Sequence, residues 1–174
     1  GAGAIVAAAD LMMPKPLVVG GGQEKGHRGG TENLPAIAGF GAAARLALAG
    51  LEEIDAVRAK RDEIEAMIAA LVPDAEIFGR AAGRLANTTF FAIPGMKAET
   101  AQIAFDLAGI ALSAGSACSS GKVGPSHVLK AMGHADAGAL RVSIGAATAP
   151  EDVELFRQAL AAIAARRAGR DKAA

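Results

Sequence analysis

Pro73 separates two textures in this chain, and that break limits the possible folds more than any other feature. Upstream of it the pattern is helical. Asn33 reads as an N-cap with Pro35 in the first turn, opening a helix that runs to Gly50. Leu51, Ile54, Val57, Ile64, Met67, Ile68 and Leu71 then recur at helical spacing, interrupted by Arg61, and predict a second amphipathic helix. Arg58 with Asp62 and Arg61 with Glu65 are i,i+4 pairs, expected on its solvated face. Pro73 ends that helix because it can neither donate the next hydrogen bond nor fit the next turn.

Beyond Pro73 the elements shorten and alternate. Ala75–Phe78 and Thr88–Ile93 read as strands, Ala98–Ala108 as a helix stopped by Gly109, and Ile110–Leu112 as a short strand. A Ser/Gly loop covers 113–121. Ser126 caps a short helix ending at Gly133, and Leu140–Ile144 is a further strand. Thr148-Ala-Pro-Glu151 reads as a capping box that opens a final helix with Val153, Phe156, Leu160 and Ile163 on one face. Near the start, residues 4–9 and 17–19 are apolar runs between Gly, Asp and Pro, expected as strands. The order is that of an α/β protein, divided into 1–72, 73–165 and a polar, frayed tail 166–174.

A chain of 174 residues can remove roughly 70% of its unfolded surface from water, so a real core is expected. That core must rest on Leu, Ile, Val, Met and Phe, since there is no Trp or Tyr and much of the apolar content is alanine. Eighteen basic and eighteen acidic residues cancel, which argues against a nucleic-acid binder relying on excess positive charge. One cysteine permits no internal disulfide. No run reaches the roughly 18 to 20 consecutive apolar residues of a membrane helix. The opening residues lack the basic lead of a signal peptide, and no starting methionine is present.

Three constellations carry potential chemistry. Gly20–Asn33 is a glycine-dense loop in which Arg28 and Thr31 stand beside a helix N-terminus, an arrangement suited to an anion or to a tight connection. Lys25 stands where a dinucleotide fingerprint needs its third glycine. Ser113-Ala-Gly-Ser-Ala-Cys-Ser-Ser-Gly121 sets Cys118 among small residues, with Lys122 and His127 close in sequence as cations that favour a thiolate. The lone cysteine reads equally as a small buried hydrophobe. Arg141 lies inside an apolar strand, where it needs a partner: an internal carboxylate, or the carboxylate of a ligand. His27, His127 and His134 show no metal-ligand spacing, and no metal site is expected.

Together these segments resemble the cysteine desulfurases, fold-type I PLP enzymes of the class-V aminotransferase-like family. The likeness rests on Gly20–Asn33, Leu85-Ala-Asn-Thr88 with Pro94-Gly95, Ser113–Gly121, Pro125–Gly133 and Leu140–Gly145. It implies the C-terminal part of an aminotransferase-like fold. Residues 1–72 would be the end of the large cofactor domain with connecting helices, and 73–165 a small α/β domain carrying the cysteine loop. Cys118 would take sulfur from L-cysteine as a persulfide, releasing alanine for iron–sulfur cluster or thio-cofactor synthesis. Arg141 would clamp the substrate carboxylate, and Thr31 would contact the phosphate of pyridoxal 5'-phosphate across a homodimer interface. Asn87 falls in a family motif with no step assigned to it. A sulfur-accepting scaffold or carrier protein and a cytoplasmic setting are also implied, with no nucleic acid and no membrane. Gly29 departs from the family, where many relatives carry serine. None of the seven lysines sits in the family's Schiff-base motif, so the chain is expected to be inactive alone. A selenocysteine lyase and a non-catalytic dimerisation or interaction module of the same fold share these residues.

Overall fold

A computed structural model describes residues 1–9, 13–115, 126–134 and 138–171. The chain divides into two compact units, Gly1–Glu52 and Glu53–Ala174.

The first unit consists of a looped segment and one helix, α1 (Leu34–Ala49). Asn33 caps that helix as the sequence predicts: its Oδ1 accepts from the Ala36 N–H at 3.2 Å, with Pro35 in the first turn. The expected strands at 4–9 and 17–19 are absent from the described residues, which are irregular there. A strand needs a neighbour to pair its N–H and C=O groups, and this unit contains no sheet among its described residues. None of its described residues is buried, and Val6, Leu17, Val19, Leu34, Leu46 and Leu48 are exposed. The helical stretch Leu34–Leu71 contains an 18-residue window of mean hydropathy 1.5, none of it buried. By length and composition alone that stretch is apolar enough to cross a membrane; the count of consecutive apolar residues missed it because Arg45 breaks the run.

The second unit is built on a four-stranded antiparallel sheet of order β1-β2-β4-β3. Its strands are β1 (Glu76–Ile77), β2 (Thr88–Ala92), β3 (Ser113–Ala114) and β4 (Ala139–Ser143). The expected strand at Ile110–Leu112 falls later, at Ser113–Ala114, because pairing with β4 begins only where Ser113 meets Arg141. Four helices accompany the sheet: α2 (Ile54–Leu71), α3 (Ala98–Leu107), α4 (His127–Ala131) and α5 (Pro150–Asp171).

Alternation along the strands sorts the two faces. Phe91, Leu140 and Ala114 lie side by side in the register and join Ile64, Ile68, Phe105, Phe156, Leu160 and Ile163 in one core. There α2, α3 and α5 pack on the sheet, and the rings of Phe105 and Phe156 stack 5.4 Å apart. The predicted stripe of α5 is buried as expected. On the opposite face Phe78, Ala92, Ala139 and Leu129 form a smaller cluster with Phe90 against it, covered by α4. Ser126 caps α4, accepting from the Leu129 N–H at 3.4 Å.

Helix ends follow local chemistry. Gly109, at φ 81°, closes α3: its N–H reaches the Asp106 carbonyl and the Ile110 N–H reaches that of Phe105, both at 2.9 Å. That is a Schellman stop, which glycine satisfies without strain. The predicted box does not form at the start of α5; only its return hydrogen bond is made, one residue later. Asp152 Oδ2 accepts from the Ala149 N–H at 2.8 Å, while Thr148 Oγ1 accepts from Gly145 instead. The segment expected to fray from 166 is helical through Asp171, and Arg167 pairs with Asp74 beside the end of α2.

The largest departure from expectation concerns Arg61 and Glu65, which are buried at 6% and 3% exposure rather than solvated. Glu65 receives a bidentate pair from Arg84, at 2.7 and 3.1 Å, with Arg61 at 3.9 Å and Arg80 at 3.8 Å. Arg61 also donates to the Leu85 carbonyl at 3.0 Å. Segment 79–87 folds over this face of α2, and its arginine supplies the partner that makes burial tolerable. Lys60 acts similarly on the β4–α5 connection, donating to the Thr148 carbonyl at 2.6 Å and the Ala146 carbonyl at 3.4 Å.

Burial opposes ionisation of Glu65, but the hydrogen bonds and charges led by Arg84 outweigh it and hold the carboxyl below its ordinary value of 4.5. A depressed folded pKa gives stability that is complete above the unfolded value and lost as pH falls through the folded one. E65Q is therefore expected to cost about 3 kcal/mol at neutral pH, because it removes the bidentate carboxylate partner of the largely buried Arg84. Denaturant unfolding should also show a smaller loss of stability below pH ~4.5 in E65Q than in the parent.

Candidate functional site

The residues with chemical potential fall in two places, one in each unit. In the second unit the centre is Arg141, the middle residue of β4. Its register partners are Phe90 on β2 and Ser113 on β3, so all three share the sheet face opposite the helix layer. Arg141 Nη2 donates to Ser113 Oγ at 3.3 Å. Its Nε is buried and has no acceptor among the described residues. No ion pair to Arg141 occurs among the described residues, so the internal-carboxylate alternative finds no partner there.

An arginine held mid-strand with an unanswered Nε–H carries a desolvation cost that the fold does not recover, on the order of 1–3 kcal/mol. The guanidinium fork matches a carboxylate bidentately, which would satisfy it. Around it the strand is firmly placed. Gln102 Nε2 donates to the Leu112 carbonyl at 3.1 Å, and the Gly115 N–H donates to Ala139 at 2.8 Å. Asn87, at the head of β2, uses its carbonyl to accept from Ile144 at 2.9 Å, while its Oδ1 accepts from the Thr88 hydroxyl at 3.2 Å. Asn87 thus acts as a strand-end tie.

Cys118 and Lys122 lie outside the described residues, as does the side chain of His127. The strand leading toward Cys118 is β3, and Cys118 follows Ser113 by five positions in the sequence. His134 pairs with Glu76 at 3.1 Å and packs edge-on to Phe78, a structural setting. Among the described residues no group of His, Cys, Asp and Glu is arranged to hold a metal.

In the first unit the Gly20–Asn33 loop contains a 3-10 turn, Gln23–Gly26, with Glu24 and Lys25 both left-handed at φ 49° and 59°. Arg28 is exposed and is tied to its own loop through one nitrogen. Its Nη1 donates to the Gly30 and Thr31 carbonyls at 2.8 and 2.9 Å, answering loop carbonyls that have no ladder partner. Gly29 explains itself sterically: a Cβ there would stand 3.0 Å from the Gly20 carbonyl oxygen and 3.3 Å from that of Val18. The departure from serine thus coincides with a close backbone crossing. Thr31 is exposed, and its hydroxyl has no hydrogen bond among the described residues.

An antiparallel sheet layered by helices, with a glycine-rich loop and an unsatisfied strand arginine, matches a known class. The class-V aminotransferase pattern covers residues 15–156, and the chain belongs to that family. Among its relatives, the cysteine desulfurase of Cereibacter sphaeroides is 42% identical over 149 residues, covering 84% of this chain and 38% of that protein. The cysteine desulfurase NifS of Azotobacter vinelandii is 42% identical over 144 residues, covering 80% and 36%. The crystal structure of a NifS-like protein from Rickettsia africae superposes with a TM-score of 0.71 at 34% identity, over 85% of this chain and 39% of that one. The chain thus spans about two fifths of the length of the relatives it matches.

Sequence reasoning located Arg141 but missed Ser113, which it placed in a flexible loop. No local signal marks Ser113, because its pairing with Arg141 joins residues 28 positions apart. Because the fold does not recover the desolvation cost of Arg141, R141M is expected to leave stability unchanged or to raise it by about 1–3 kcal/mol. Thermal unfolding checks this, and a loss above about 2 kcal/mol would mark the arginine as structural.

Proposed function

We propose that this chain is the substrate-clamping and sulfur-accepting portion of a cysteine desulfurase that acts on L-cysteine. One observation carries the reading: Arg141 stands on the sheet face opposite the α2–α3–α5 layer with a buried Nε that lacks an acceptor among the described residues, on the strand paired with the one that precedes Cys118 in the sequence. Its fork receives the substrate carboxylate and so fixes which end of the amino acid faces the acceptor sulfur. Pyridoxal phosphate, the cofactor of the family, would supply the electron sink for the carbon–sulfur cleavage when bound. Thr31 contributes its hydroxyl to the phosphate, across a homodimer interface.

Cys118, as thiolate, attacks the substrate sulfur. A sulfur–sulfur bond forms, the substrate carbon–sulfur bond breaks, and the carbon that retains the electron pair is protonated. Cysteine and the enzyme thiol thereby become alanine and an enzyme persulfide, with no external oxidant or reductant. The persulfide then passes to an acceptor protein in the cytoplasm. The exposed apolar surface of the first unit supports a protein cover rather than a lipid one, since the family pattern runs through α1 and the solved relative superposes over 85% of the chain.

The chain alone, given pyridoxal phosphate and L-cysteine, is expected to release no alanine. Joined behind the upstream portion of the Cereibacter sphaeroides enzyme, in place of the matching segment, it should yield alanine and a persulfide at Cys118. C118S should remove both, and R141A should raise KM for L-cysteine roughly 10- to 100-fold. Alanine release that survives C118S unchanged would overturn the assignment.

A further inference from the structure

We propose that Ser113 is a positioning residue for Arg141, aiming its guanidinium at a carboxylate without neutralising it. This rests on the reading of Arg141 as the clamp. Three features single Ser113 out. It is the register partner of Arg141 across the β3–β4 pair, so the two side chains rise from the same face. Its Oγ is the acceptor for Nη2, at 3.3 Å, and the Nε of the same guanidinium has none among the described residues. Its own place is tied on every side: Gln102 holds the carbonyl of Leu112 before it, Ala114 after it is buried, and Gly115 bonds Ala139.

The physical need is clear from the length of the arginine side chain. Pairing with β2 and β3 fixes the backbone of β4, but the far end of a long side chain keeps its rotamers unless something holds it. A carboxylate at position 113 would hold it strongly and would occupy the bidentate fork with its own charge. A hydroxyl accepts one hydrogen bond and carries no charge. It engages one of the five N–H donors on the guanidinium and leaves the group's charge for a ligand. Ser113 thus trades anchoring strength for availability, which suits a group that must be both ordered and unpaired.

The test follows the Arg141 Nε–Hε signal of the ¹⁵N-labelled 174-residue chain, assigned by its loss in R141K. The probe is L-alanine, which presents the same carboxylate and amino groups as cysteine. In ligand-free S113A the Nε–Hε group should become more mobile and exchange faster with water. L-alanine should bind S113A roughly 3- to 10-fold more weakly than the parent. S113T, which restores the hydroxyl, should recover both properties. S113D should order the guanidinium yet abolish L-alanine binding, because its carboxylate takes the fork. Thermal unfolding of each variant identifies any that lose the fold, and S113T and S113D then decide the matter. Unchanged Nε–Hε dynamics and affinity in S113A would overturn the role of Ser113. If the parent's Arg141 signal ignores L-alanine, or R141K binds it equally well, the clamp reading fails instead, and the ligand-free signal still reports whether Ser113 orders the arginine.

Discussion

Everything in the second unit depends on the register of β4 between β2 and β3. Ala139, Arg141 and Ser143 face one way, and Leu140 and Val142 the other. Because side chains alternate with a period of two, a slip of one residue would carry Arg141 into the helix-covered core and turn Leu140 out. Leu140 is almost fully buried against Phe91 and Ala114, so the apolar face specifies the register strongly. The arginine's position is a consequence of that packing: it stands where it does because Leu140 must be buried and Val142 packs against the same core.

Polar ties then fix the connections that enter and leave this sheet. Glu65, with Arg84 and Arg61, fastens segment 79–87 to α2 just before β2 begins. Lys60 fastens the β4–α5 connection to the same helix. Buried charges of this kind contribute little net stability compared with apolar packing, but breaking one partner is costly, so they select one arrangement over its alternatives. Both ties act at the one end of the antiparallel β2–β4 pair where Thr88 meets Ser143, two residues along β4 from Arg141, and they help keep Arg141 and Ser113 in one geometry.

Much of the architecture was legible from local chemistry. Asn33, Ser126 and Gly109 end or begin helices because each answers backbone groups within three or four residues. The α5 stripe of Val153, Phe156, Leu160 and Ile163 was visible for the same reason, as its period needs no distant partner. Errors arose where the partner was remote. Residues 4–9 and 17–19 had strand texture but no neighbouring strand, and Arg61 with Glu65 looked like a surface pair until Arg84 arrived from 19 positions away. The return hydrogen bond of the predicted α5 box falls one residue later because Asp152 competes with Glu151 for the same role.

The sequence by itself determined the family, through the motif segments between Gly20 and Gly145, and it singled out Arg141 as an arginine needing a partner. It also identified Cys118 as the only thiol. Tertiary structure alone decided that Arg141 has no internal carboxylate partner among the described residues, that Ser113 accepts its hydrogen bond, and that Glu65 is buried. The reason is physical. Helix caps and hydrophobic periods are set by neighbours along the chain, whereas the partner of a buried charge is set by strand pairing and packing between segments far apart in it.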